Sequence, residues 1–366
     1  MKSTMLKQLA LAAVLAAGLT TPARAAPADD DAILFLGHAN ARVAKAMAFR
    51  SQWEGPISAP KVTKKALLVF IGADFRDGAV NGVSAGVREA AAVIGWNVQF
   101  IDCYGMAARR AEAFSRALAL KPAGIVLAGI DARDAAKELA AAAAAKVPLV
   151  GWHASAQIGP GADGLFTNIG TDPREAGQLA ALLGVVESKG KAGVVILADN
   201  SNAYNAARSA AIADTIRTCK ACALLGIADM AARPDLGALR KQFGKRLTHA
   251  IAAGDQFIDP LAGPLVKTAL AGDVLPAIGA GDGLPGAYQR IRSHTVQLGT
   301  VPEPLHLQGW QLVDEIVRAD AGSPPSGFAT PAYLVTAENA AFHGGPKDGF
   351  DPANNYRSEY RRLWGK

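Results

Sequence analysis

Short polar turns that follow apolar runs hold most of the side chains in this sequence that could do chemistry. The first carries Asp74, Phe75, Arg76 and Asp77, and another carries Trp152 and His153. A third carries Asp199, Asn200 and Tyr204, with Arg208 one helical turn further on and able to reach back over it. Asp255 sits in Gly254-Asp255-Gln256, and Asp282 in Gly281-Asp282-Gly283. Carboxylates, amides and a guanidinium exchange hydrogen bonds with hydroxyl or amine groups, and aromatic faces cover the apolar side of a ring. That is the chemistry of holding a small polar molecule. Catalytic patterns are missing: the six histidines lack metal-ligand spacing, and no Gly-x-Ser-x-Gly elbow occurs. The glycine-rich stretch 279–286 follows an apolar run, but Leu284 takes the third glycine position of a dinucleotide fingerprint. No catalytic residue, cofactor or metal is expected. Asp131 and Asp172 read as caps of the helices that follow them and are set apart from the candidates.

The elements that must position these turns alternate regularly. Residues 66–71 form a continuous apolar run, as in a strand covered on both faces. Val80, Val83, Val87, Ala91 and Ile94 then recur at helical spacing until Gly95. Strands are expected again at 98–101, 124–130 and 148–152, with helices near 109–120 and 133–146. The module restarts at Asp172-Pro173-Arg174-Glu175, an Asp cap with Pro at the first helical position and Glu to close a capping box. A strand at 194–198, a helix at 206–217 and strands at 223–227, 250–253, 276–279 and 296–300 follow. Strands joined by helical crossovers imply parallel sheets, so the fold class is α/β with two Rossmann-like lobes. In such sheets ligands bind beyond the carboxyl ends of the strands, where the candidate turns lie, and two facing rims make a cleft.

The ends read differently. Lys2 and Lys7, the apolar stretch 9–19 and Ala23-Arg24-Ala25 have the order of a cleavable export signal, with an apolar core too short to span a bilayer. Removing residues 1–25 lowers the formal charge from +6 to +3, because that segment holds Lys2, Lys7, Arg24 and no acid. No basic run with interleaved aromatics suggests nucleic acid. In an exported chain the Cys219-x-x-Cys222 pair reads as a local disulfide, with Cys103 left over and buried. Residues 26–61 are expected to hold one helix (43–49) and an extended link. The chain after Phe342 is rich in Gly, Pro, Asn and charge, and residues 346–366 read as a C-terminal tail that wraps a surface or stays mobile.

Together these residues resemble the type I periplasmic binding proteins of ABC-type sugar transporters. The resemblance spans about residues 64–340 and is carried by 168–177 (Asn-Ile-Gly-Thr-Asp-Pro-Arg-Glu-Ala-Gly), Gly254-Asp255, Gly281-Asp282-Gly283, and Gly299-Thr300-Val301 leading to Gly309-Trp310. It implies a non-catalytic periplasmic receptor, acting as a monomer, that closes by a hinge on a small polar, sugar-like or polyhydroxylated ligand. The partner implied is an ABC permease, or alternatively a chemotaxis or kinase partner. Three crossing segments are expected near Ile169, Glu303 and Thr330, with lobe 1 at 62–169 and 304–330 and lobe 2 at 170–303 and 331–345. Asp77, Arg208 and Asp282 match the family's ligand positions, and Glu303 adds a fourth. Ala79 and Val80 replace the family's paired aromatics, His153-Ala154 its Asp-Arg, and Gly254 the Asn of its Asn-Asp pair. Phe75, Trp152 and Tyr204 are the replacements expected for the lost aromatic faces.

Overall fold

The computed structural model describes residues 27–261, 274–342 and 349–366. The proposed export signal lies outside the described residues. Lobe 1 is built on β1 (Leu67–Gly72), β2 (Asn97–Asp102), β3 (Gly124–Ala128), β4 (Leu149–Trp152), β5 (Gly159–Pro160) and β6 (Thr167–Ile169), ordered β2-β1-β3-β4-β6-β5. Lobe 2 is built on β7 (Gly193–Ala198), β8 (Ala223–Asp229), β9 (His249–Ala252), β10 (Ala277–Gly279), β11 (Gln297–Thr300) and β12 (Val335–Thr336), ordered β12-β11-β10-β9-β7-β8. In each sheet every pairing is parallel except one short edge pairing, β5 with β6 and β11 with β12. The interior strands β3 and β7 are buried along their whole length, which is why they read as unbroken apolar runs.

Each lobe packs two of its helices against each other through glycine. In lobe 1, α2 (Gly78–Ile94) crosses the helix Leu305–Asp320; a Cβ on Gly309 would lie 2.6 Å from backbone atoms of Val83 and Gly86. In lobe 2, α5 (Pro173–Glu187) crosses α6 (Ala203–Thr218), and a Cβ on Gly177 would lie 2.4 Å from the Arg208 carbonyl oxygen. Side chains at these points would push the helices apart and move Arg208 with them. Asp172 caps its helix as expected, its carboxylate accepting from the amides of Arg174 and Glu175, and Asp77, a ligand candidate, also caps α2 by accepting from the amides of Ala79 and Val80.

The chain crosses between lobes near Gly170, Glu303 and Thr330, where Thr171 bridges Thr330. It also crosses at both ends. Helix α1 (Pro27–Met47) is longer than the expected 43–49, because Ala39, Val43 and Ala46 form a small apolar stripe buried in the lobe 2 core against α5. The chain then passes to lobe 1 at β1. At the other end, residues 356–364 are no surface tail. They form a helix, Tyr356–Trp364, whose Tyr356, Tyr360, Leu363 and Trp364 join the lobe 1 core. Trp364 stacks on Trp310 at 5.5 Å, and its indole nitrogen donates to Asp314 at 2.8 Å. The N-terminal helix therefore belongs to lobe 2 and the C-terminal helix to lobe 1. Cys219 and Cys222 are joined by a disulfide at the end of α6, and Cys103 is buried and free.

Candidate functional site

Between the lobes lies a cleft of about 250 Å³. Lobe 1 contributes Asp77, Trp152 and His153 to its walls, and lobe 2 contributes Asp199, Arg208 and Asp282. The turns after β1, β4, β7 and β9, together with the loop after β10, form the two rims, at the strand ends where an open α/β sheet presents its ligand groups. The lobes touch across it: the Ala203 amide donates to Asp131 at 3.0 Å, and Arg174 donates to the Ala156 carbonyl at 3.2 Å. Asp131 was set apart as a cap. It does cap the following turn through the Arg133 amide, yet its second oxygen reaches the other lobe.

At the base of the cleft a polar network spans the hinge. Glu303, 1% exposed, takes hydrogen bonds from Arg208 (3.0 Å), the Gln308 side chain (2.5 Å) and the Thr171 amide (3.2 Å). The Tyr204 hydroxyl lies 2.5 Å from the same carboxylate, and His153 Nε2 lies 3.5 Å from it. Burial alone would raise the Glu303 carboxyl. His153, Arg208 and Tyr204 outweigh it and hold the group well below the usual carboxylate range. Gln308 also donates to Thr330 and accepts from the Trp152 indole at 2.7 Å, so all three inner crossings meet at one carboxylate.

His153 is stacked between Trp152 and Tyr204, each 3.7 Å away between ring centroids and nearly parallel. It adopts a left-handed backbone conformation (φ 51°), sparsely used by residues other than glycine and often kept at functional sites. Gly170 makes room for the stack, since a Cβ there would lie 3.1 Å from the His153 ring. Burial is the largest influence on the imidazole and keeps it neutral, against the pull of Glu303.

Asp282 is buried, and among the described residues it accepts no hydrogen bond. Burial first, then the nearby Asp77, push its carboxyl up to about 8; Asp255 and Glu303 add to the rise and Arg208 opposes it. The loop that carries it is pinned from behind. Asp255 accepts from the Gly283 amide (2.9 Å), Gln297 (2.7 Å) and Thr300 (3.0 Å), while the Gly283 carbonyl accepts from the Phe350 amide at 2.8 Å.

The sequence-derived candidates thus divide. Asp77, Trp152, His153, Asp199, Arg208 and Asp282 line the cleft. Tyr204, Glu303 and Asp255 lie behind its wall, with their polar atoms engaged by the protein. Phe75, Arg76 and Asn200 do not line it. Phe75 packs on Phe70 and Phe100 in the core, Arg76 is an exposed partner of Asp74, and Asn200 is exposed. Phe75 therefore offers no aromatic face to the cleft, and Trp152, which lines it, has its ring stacked on His153. Gln256, of the Gly254-Asp255-Gln256 turn, also lines the cleft, as do Asn205 and Arg110, which were missed. Asn205 had a signal, because it stands three residues beyond Asn202, the cap of its own helix. Among the described residues no cluster could hold a metal ion and no helix is long and apolar enough to cross a membrane. A wider groove of about 490 Å³ runs beside α1, α5 and α6 on the outside of lobe 2 and takes no residue from lobe 1.

Residues 68–322 match the periplasmic binding protein domain. The chain belongs to this family. The family's setting is the periplasm. Solved structures with the same fold include GanP, a glucose-galactose binding protein from Geobacillus stearothermophilus (TM-score 0.65, 17% identity, covering 76% of this chain and 99% of that one). An ABC transporter solute binding protein from Agrobacterium vitis with bound allitol is similar (TM-score 0.67, 16% identity, 76% and 97% covered). So is one from Bacillus halodurans with bound myo-inositol (TM-score 0.63, 17% identity, 78% and 97% covered). No curated protein matches the sequence.

Proposed function

We propose that this chain is a non-catalytic periplasmic receptor that captures a small polar, polyhydroxylated ligand between its lobes and presents it to an ABC permease. The observation that carries the reading is the interlobe cleft, walled by charged side chains from both lobes and by Trp152 and His153 from lobe 1. Its volume of about 250 Å³ lies below the roughly 300–1,000 Å³ of drug-sized sites, which suits a single sugar or polyol. Groups from both lobes on one ligand favour the closed state, because only that state offers all the contacts. The related folds with bound allitol and myo-inositol support the same chemical class. An export signal at 1–25, cleaved near Ala25, would deliver the chain to the periplasm.

A thermal-shift screen of sugars, polyols and hydroxylated amines tests the reading. A ligand present at 100 times its dissociation constant stabilises the fold by about 2.7 kcal/mol, and at least one compound should do so and be recovered unchanged. If no compound stabilises the chain, or if one is turned over, the receptor reading fails.

A further inference from the structure

We propose that the ligand carries a positive charge on a hydroxylated frame, as an amino sugar or amino polyol does, with its ammonium group seated between Asp77 and Asp282. The inference rests on the receptor reading above and goes beyond it by assigning the ligand's charge.

The cations on the cleft wall are already committed. Arg208 pairs with Glu303 at 3.0 Å and donates to the Ala253 carbonyl with its other terminal nitrogen. Arg110 pairs with Asp134 at 3.3 Å, and burial keeps His153 neutral. The acids are not balanced in the same way. Asp74 is paired with Arg76, and Asp199 accepts from the Ser201 amide and Asn205. Asp77 uses a single oxygen, Oδ1, as the cap of α2. Asp282, 8% exposed, accepts nothing among the described residues. The charges of Asp77, Asp255 and Glu303 work against its ionisation, and that of Arg208 works for it.

The Asp282 side chain is largely drawn out of water but its oxygens open on the cleft, so a ligand that donates to them is favoured. An unpaired carboxylate on a cleft wall, opposite a second one from the other lobe, is a site awaiting a donor. A hydroxyl supplies one proton and no charge, whereas an ammonium supplies three protons and a positive charge that draws Asp282 into its ionised, accepting form. A metal ion is a poorer occupant, since the two carboxylates are joined by no third ligand among the described residues. The hydroxylated frame follows from Arg208 Nε, a buried donor without a partner beside the same wall.

Calorimetric titration of the full chain with matched pairs tests this: 1-amino-1-deoxysorbitol against sorbitol, and galactosamine against galactose, at pH 7.5. In at least one pair the amine should bind at least tenfold more tightly than its neutral partner. Asp282→Asn should erase that preference. Asp77→Asn, which keeps a capping side chain at α2, should weaken the amine alone and serves as the second variant if Asp282→Asn does not fold. Neutral members that bind as tightly as the amines, in the native chain and in both variants, would overturn the charge assignment and leave the receptor reading standing. An amine preference that survives both substitutions would overturn the placement. If no compound of either kind binds, both readings fall together.

Discussion

Glu303 and Asp282 are buried carboxylates of one cleft, and their surroundings are opposite. Glu303 sits where three chain crossings meet and is saturated with donors. Asp282 sits on the wall with none among the described residues, held in place by a loop whose own bonds are satisfied by Asp255. One carboxyl is held below its ordinary range and the other is pushed up to about 8. A buried acid that the protein satisfies is part of the scaffold. A buried acid that the protein leaves unsatisfied, but positions carefully, is available to something else.

The comparison can be broken most forcefully at Glu303. Removing one member of a buried ion pair typically costs about 3–5 kcal/mol, because the partner is left buried and charged. Glu303→Ala should therefore lower stability by that order in chemical unfolding, since Arg208, 2% exposed, loses its counterion. A loss below about 1 kcal/mol would mean that the hinge network does not hold the lobes. Trp364→Ala probes whether the C-terminal helix is a structural part of lobe 1; deletion of a fully buried Trp should cost about 3–5 kcal/mol. An unchanged midpoint would return residues 356–364 to the status of a surface tail.

At Asp282 the expected effects are smaller and of a different kind. Asp282→Asn should leave stability at pH 7 unchanged or slightly higher while weakening ligand binding at least tenfold, about 1.4 kcal/mol. Folding raises this carboxyl above its unfolded value, so the folded chain keeps a proton that the unfolded chain has already released. Between the ordinary value of 3.8 and about 8 the group therefore makes stability fall as pH rises, and above about 8 it adds no further slope. The native chain minus Asp282→Asn should show that slope in thermal unfolding against pH; parallel curves would remove the distinction from Glu303. The smallest effect belongs to Cys219→Ser. A disulfide across three residues of sequence removes little chain entropy, so the midpoint in denaturant should move only slightly.

Much of the scaffold was legible because buried parallel strands announce themselves as unbroken apolar runs, as β3 and β7 do. The rims were legible for the same reason, since each rim follows a strand. The C-terminal helix carried a signal in Tyr356, Tyr360, Leu363 and Trp364, at helical spacing, but the Gly, Pro and Asn residues before it suggested a loop. Helix α1 was underestimated because two of its three buried residues, Ala39 and Ala46, are alanine, which has little apolar contrast. Within the site, a turn residue's position was readable and its partners were not. Asp255 is satisfied by Gln297 and Thr300, more than 40 residues away, and Asp131 finds Ala203 on the other lobe. No local pattern encodes those meetings. Phe75 faces the core instead of the cleft because Phe70 and Phe100 surround it.

The most direct test of the account is a crystal structure of the chain with its tightest-binding polyol or aminopolyol. The account predicts one molecule between the lobes, in contact with Asp282 from one side and Asp77 or His153 from the other, with the Glu303 network intact behind it. A ligand seated instead in the outer groove beside α1, α5 and α6, with Asp282 still unpaired, would contradict it.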